Sequence, residues 1–236
     1  MRFRLALGVL IACAPLACIL DWNSLQANQG LFDGGVDGGA GDDNFVPVDA
    51  GKDTTQPPPE AGPDTSCNAG LLVNELQSEG PFGPSDEFVE IYNAGDCTVS
   101  LNAWTIQYSS ATASGANAVW TGQPADQIPA KGYVVVGGQQ FQGTVIGRFG
   151  NGLNGVLSKT GGGVGLFAPG ASAPVDSMAY GTITAPTHPF DKPPAGPPAP
   201  APGSGQSAAR IPNGVNTNAS AADFKITTST PNKANQ

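Results

Sequence analysis

The sequence predicts an all-β sandwich carried on a long amino-terminal extension, and three observations lead there. From Cys67 onward the chain is a series of short apolar runs separated by Gly, Pro, Asn and Asp. Many short strands without intervening helices argue for a sandwich or barrel. The 236 residues include 33 glycines and 22 prolines, so much of the chain is turn, loop or linker. No long amphipathic helix is legible beyond the first residues.

The strands are read in order as Gly70–Leu76, Glu87–Tyr92, Thr98–Leu101, Trp104–Tyr108, Ala118–Trp120, Tyr133–Gly137, Gly163–Ala168 and Val175–Tyr180. Several are rich in β-branched or aromatic residues, and most have turn residues on both sides. Phe88, Leu101 and Trp104 are expected in the core. Trp120 is the better candidate for an exposed carbohydrate or partner contact, and a core position fits it equally. The stretch Thr184–Ser207, with PPAGPPAPAPGSG at 193–205, cannot pack as a strand, because proline lacks the ladder donor. A mobile, partly polyproline II loop is expected there.

Ahead of this body the sequence divides at 1–17 and 18–66. Arg2 and Arg4 precede an apolar run, Leu5–Leu16, which is too short to span a bilayer and fits the h-region of a signal peptide. Leu16-Ala17-Cys18 and Leu10-Ile11-Ala12-Cys13 both resemble a bacterial lipobox, whose cysteine receives a diacylglyceryl group. Cys18 is the preferred lipidation site because it leaves a leader of more usual length; Cys13 is the alternative. The expected product is exported and lipid-anchored to a membrane of the cell envelope, at the outer membrane or cell surface.

Residues 18–66 read as a disordered acidic tether. DGGVDGGAGDDN at 33–44 and QPPPEAGPDT at 56–65 hold few apolar groups to offset ordering entropy. The net charge is −9, and most of the excess lies here: Asp21, Asp33, Asp37, Asp42, Asp43, Asp49, Asp53, Glu60 and Asp64 against Lys52. That balance argues against nucleic acid as a partner, since phosphate binding rests on Lys and Arg. The Asp/Gly spacing hints at calcium loops, but the EF-hand pattern is absent. A solvated spacer is the preferred reading.

Within the body, LLVNEL (71–76), DEFVEIYNAGD (86–96) and VSLNAWTI (99–106) resemble the opening of a lamin-tail domain. IPAKGYVVVGG (128–138) is similar to its middle strand, and GGGVGLFAPGASAPVDSMAYG (161–181) to its glycine-led hairpin. The end, from Ser207 to Gln236, resembles the family's closing pattern of an arginine, a Pro-Asx-Gly turn, an Asn-rich loop, Asp-Phe and Thr-Pro-Asn. The resemblance implies an immunoglobulin-like β-sandwich over 67–236 with no catalytic site of its own. Family association also leaves open an accessory role beside an exported nuclease or hydrolase, and the acidic residues leave open calcium-dependent adhesion.

Four cysteines are present. With Cys13 in the leader and Cys18 lipidated, Cys67 and Cys97 remain, and an oxidising compartment favours a disulfide between them. No CxxC occurs and there is one histidine, so no zinc site or other cofactor is expected. That histidine, His188, falls in the proline-rich stretch and reads as incidental. Glu75 and Glu90 become neighbours if their strands pair, since strands display alternate residues on one face. With Asp86 or Asp176 they could hold a divalent ion. The preferred reading is a structural network in which Glu75 or Glu90 meets Arg210, because a carboxylate on a half-buried strand needs a partner. No G-x-S-x-G elbow or phosphate loop is present.

The expected function is therefore a non-catalytic envelope module. Its partner would be an envelope protein or polysaccharide.

Overall fold

A computed structural model describes residues 70–150, 152–191 and 197–236. The leader, the tether, Cys13, Cys18 and Cys67 lie outside the described residues.

The described chain is an all-β sandwich of the immunoglobulin-like kind. Its strands are β1 (Leu71–Gln77), β2 (Phe88–Asn93), β3 (Val99–Ser100), β4 (Thr105–Ser110), β5 (Asn117–Thr121), β6 (Gln127–Ile128), β7 (Tyr133–Gly137), β8 (Gly147–Arg148), β9 (Gly161–Phe167), β10 (Asp176–Gly181), β11 (Gln206–Arg210) and β12 (Phe224–Thr228). One four-residue helix, α1 (Ser220–Asp223), precedes β12. A six-stranded sheet runs β12-β11-β1-β2-β7-β8 and a four-stranded sheet runs β10-β9-β4-β5. β3 and β6 form a small separate pair. All pairings are antiparallel except β7 with β8. Among the described residues no helix is long and apolar enough to cross a membrane.

The core lies between the two sheets. Val73, Leu76, Val89, Ile91 and Phe224 from the larger sheet meet Ile106, Val164, Leu166, Met178 and Tyr180 from the smaller. Each fully buried aliphatic or aromatic side chain there stabilises the fold by roughly 1.5–3 kcal/mol. Phe88 and Leu101 are buried, and Trp104 is half-buried against the core. Of the two readings open for Trp120, surface contact or core, the structure gives the core: it is 7% exposed. It sits on an edge strand, yet its ring turns inward, where a large apolar body gains most by burial.

β9 is buried along its whole length and β1 at every position but Leu72, not on alternate residues. For β9 the cause is the segment predicted to be a mobile loop. Parts of that segment are packed on the sheet. Thr184 and Ala185 N–H groups both donate to Ala111 O at 2.9 Å, and Ala199 pairs with Tyr180 in a parallel bridge. His188 and Phe190 are buried over β9. The glycines of GGGVGLF make room for them. A Cβ at Gly163 would stand 2.8 Å from His188 Cε1, and one at Gly165 would stand 2.5 Å from Phe190 Cε1. His188 Nδ1 accepts the Phe190 N–H at 3.3 Å, and Nε2 lies 3.4 Å from Ser109 O. His188 is therefore a packed, hydrogen-bonded residue. Apolar anchors at His188 and Phe190 hold the part of the segment that precedes the proline run.

Removing one anchor tests this packing. Phe190→Ala is expected to lower the unfolding free energy by about 3 kcal/mol and to speed cleavage between Thr182 and Gly205. Urea unfolding and limited proteolysis read the two effects.

Candidate functional site

The charged residues singled out in the sequence converge on β1 and the segments that cover it. The strand carries a bulge between Val73 and Glu75, which turns Asn74 out of register. At the bulge the Val73 N–H donates to Asp176 Oδ2 at 2.8 Å, and Val73 O accepts from Arg210 Nε at 2.9 Å.

Arg210 is fully buried at the end of β11. Its Nη2 donates to Asp176 Oδ2 at 2.7 Å, and its Nη1 donates to Asp223 Oδ2 at 3.1 Å and to Val215 O at 2.9 Å. The guanidinium also stacks 4.5 Å over the Phe224 ring. One side chain thus joins β1, β10, the 211–219 loop and α1. The planar fork of arginine supplies enough directed donors for this, and lysine does not. Asp176 accepts in addition from Asn216 Nδ2, and Asp223 from Thr217 N and Oγ1. Arg210 does not meet Glu75 or Glu90. The expected pairing is corrected to Asp176 and Asp223. The physical reason is the bulge: it opens the Val73 backbone toward β10, and Asp176 follows it.

Glu75 and Glu90 do stand opposite each other in the β1–β2 register. Both are fully buried. Apart from Asn74, their partners come from the carboxyl-terminal part of the chain. Glu75 accepts from Ser207 Oγ and from Thr230 N. Glu90 accepts from Asn74 Nδ2 at 2.8 Å and Asn232 N at 2.5 Å. Asn235 closes the arrangement by donating to Asn74 O and Arg210 O, both at 3.0 Å. The Thr-Pro-Asn closing pattern therefore covers the outer face of β1, which is why that strand is buried on both sides. Glu87 plays the same part elsewhere, accepting Val156 N at 2.6 Å and Leu157 N at 2.7 Å.

Burial pushes the Glu90 carboxyl up to about 8, against the pull of its Asn74 bond and reinforced by the charge of Glu75. Burial likewise pushes Glu87 up to about 7, opposed by the Val156 and Leu157 amides, and raises Glu75. Carboxyls shifted this far resemble the general acids of hydrolases. The geometry points elsewhere. All three are closed off from solvent, and each oxygen is engaged in holding a segment. Surface grooves of about 430, 390 and 280 Å³ are lined by other residues. Asp176 is committed to Arg210, and Asp86 Oδ2 accepts the Phe82 N–H at 3.0 Å. Among the described residues no group of three or more His, Cys, Asp or Glu is placed to hold a metal ion.

The lamin tail domain model matches residues 65–182, half of the chain. This chain belongs to the lamin tail domain family. No curated protein matches it. The lamin tail domain here extends beyond the matched segment in space: β11 and β12, after residue 182, complete the six-stranded sheet next to β1. Lamin tail domains are immunoglobulin-like structural or binding modules, and an arrangement that uses its carboxylates to hold loops fits that description.

Sequence reasoning missed Asp223, Asn74, Asn232 and Asn235. The Asn-rich loop and the Asp-Phe pair were visible signals. What they serve follows only from β11 lying beside β1, a contact between residues more than 130 apart in the chain.

Proposed function

We propose that this protein is a non-catalytic cell-envelope lipoprotein that presents its lamin tail domain as a binding or structural module. The observation that carries the reading is the internal use of the polar residues. Glu75, Glu87, Glu90, Asp176, Asp223 and Arg210 are satisfied within the domain, so its conspicuous chemistry is architectural. A lipid on Cys18, with Cys13 as the alternative, anchors the chain at a membrane. The acidic Gly/Pro-rich tether lets the head search a volume near that membrane, which raises its effective concentration for nearby partners. A Cys67–Cys97 disulfide fastens the start of the domain to the turn after β2.

Two measurements on the native full-length protein test this. Intact mass should show one diacylated cysteine and two oxidised thiols. Affinity capture from an envelope extract should retain an envelope protein or polysaccharide. An unmodified amino terminus would remove the anchor from the reading. Hydrolysis of nucleic acid by the purified chain would replace a binding module with an enzyme.

A further inference from the structure

The two sheets of the sandwich end in β8 and β12 on the larger and in β5 and β10 on the smaller. Most of these edges are closed to further pairing. β8 has only two residues. β5 carries a bulge, with Trp120 opposite Ile106 and Ala118 opposite Gln107. β10 is bridged by Ala199, whose N–H donates to Ala179 O and whose O accepts the Gly181 N–H, both at 2.8 Å. Short strands, bulges and covering segments are the usual means of preventing edge-to-edge association.

β12 is built differently. Its five residues pair with β11 in an unbroken register, from Phe224 opposite Arg210 to Thr228 opposite Gln206. The Ile211 N–H donates to Asp223 O at 3.0 Å in that same register. Bonded and non-bonded pairs alternate along an antiparallel ladder. Lys225 and Thr227 therefore bond to β11, while Phe224, Ile226 and Thr228 turn their backbone groups away from it. The Phe224 N–H is taken by Ser220 O. Phe224 O and the N–H and O groups of Ile226 and Thr228 have no partner among the described residues.

We infer that two copies of this chain associate through β12, antiparallel about a twofold axis at Ile226. In that register the Ile226 N–H and O bond their own counterparts across the axis. The Thr228 N–H donates to Phe224 O of the second copy, and the reverse bond follows by symmetry. The side chains fit the same register. Lys225 is the one charged residue of β12, and it falls opposite Thr227 of the second copy. The two Ile226 side chains meet at the axis, and each is half-buried against the core of its own sandwich. Like β-branched pairs on facing strands are favourable. Setting Phe224 against Ile226 instead would place Lys225 opposite Lys225, and like charges so placed are destabilising. The strand is thus its own complement in one register.

Pairing through one five-residue strand buries less than the roughly 1,000 Å² that a stable interface needs. The dimer is therefore weak in solution. The inference does not depend on the anchored-module reading. If that reading holds, copies tethered to one membrane meet at a raised effective concentration, where a weak contact suffices.

Sedimentation velocity of the full-length protein over a concentration series tests the association. A monomer that gives way to a dimer toward about 1 mM is expected. Thr227→Lys puts like charges opposite each other at two symmetric places and should weaken the dimer about tenfold. Thr227→Glu should tighten it by about the same factor. Adding Lys225→Glu to Thr227→Lys restores opposite charges and should recover the dimer, which separates a lost contact from a folding defect. Hydrogen exchange reads the register. As concentration rises, the Ile226 and Thr228 amides should slow, while those of Lys225 and Thr227, already bonded to β11, should not change. A protein that stays monomeric at about 1 mM, a dimer indifferent to the charge at 227, or slowing at another edge instead of β12 each overturns the inference.

Discussion

Arg210→Met is expected to lower the unfolding free energy by about 3–5 kcal/mol, the usual penalty for removing one member of a buried ion-pair group. The substitution removes the charge that Asp176 and Asp223 both face and leaves two carboxylates buried without it. It also withdraws donors from Val73 O and Val215 O. Methionine fills much of the same volume over Phe224, so lost packing is a small part of the effect. Arg210→Lys should recover little, because a single ammonium cannot reach all the acceptors served by Nε, Nη1 and Nη2. Urea unfolding at neutral pH measures both variants. Hydrogen exchange in the Arg210→Met protein should increase first in β12 and the 211–219 loop, which the guanidinium joins to β1.

Stability is expected to fall as pH rises from about 5 to about 9. Glu87 and Glu90 are raised from the ordinary 4.5 to about 7 and about 8. In that interval the folded protein binds more protons than the unfolded chain. Their contribution is therefore fully present below the unfolded value and is lost as pH passes the folded values. Each pKa unit corresponds to about 1.4 kcal/mol, so each of the two carboxyls contributes on the order of a few kcal/mol to the decline. Many proteins gain stability over the lower part of this range, because their carboxylates ionise more readily when folded; here burial reverses the sign. Glu90→Gln should remove much of the slope. It also weakens the bond from Asn232, at about 1 kcal/mol at every pH. Melting temperatures of the two proteins across the range read the difference, and parallel curves would contradict the assignment to Glu90.

The sandwich was legible in the sequence because its strands are short, apolar and punctuated. β1, β2, β4, β7, β9 and β10 all fall where period and turn residues placed them, within a residue or two at most ends. β6 and β8 were not legible, since two-residue strands carry no period. β11 reads as Gln-Ser-Ala-Ala-Arg, with small side chains that give no apolar signal. Its burial comes from lying between β1 and β12.

The polar core was legible in part. Glu75 opposite Glu90 follows from simple alternation on paired strands. The partner of Arg210 does not, because it depends on the bulge at Asn74 and on β10 approaching from the other sheet. The ends of the 184–207 segment were not legible for a related reason. Two residues ahead of the proline run, His188 and Phe190, find seats over the glycines of β9. Seats of that kind are a property of the assembled sheet and have no local signature.

The central claim is that the buried carboxylates hold the lamin tail domain together and bind no ion. Thermal unfolding of the full-length protein with Ca²⁺, Mg²⁺ or Zn²⁺, each raised into the millimolar range, tests it most directly. The account predicts a melting temperature independent of all three. A ligand of the folded state present at about a hundred times its dissociation constant would add about 2.7 kcal/mol. A rise in melting temperature that grows with the ion and disappears in Glu90→Gln would contradict the account.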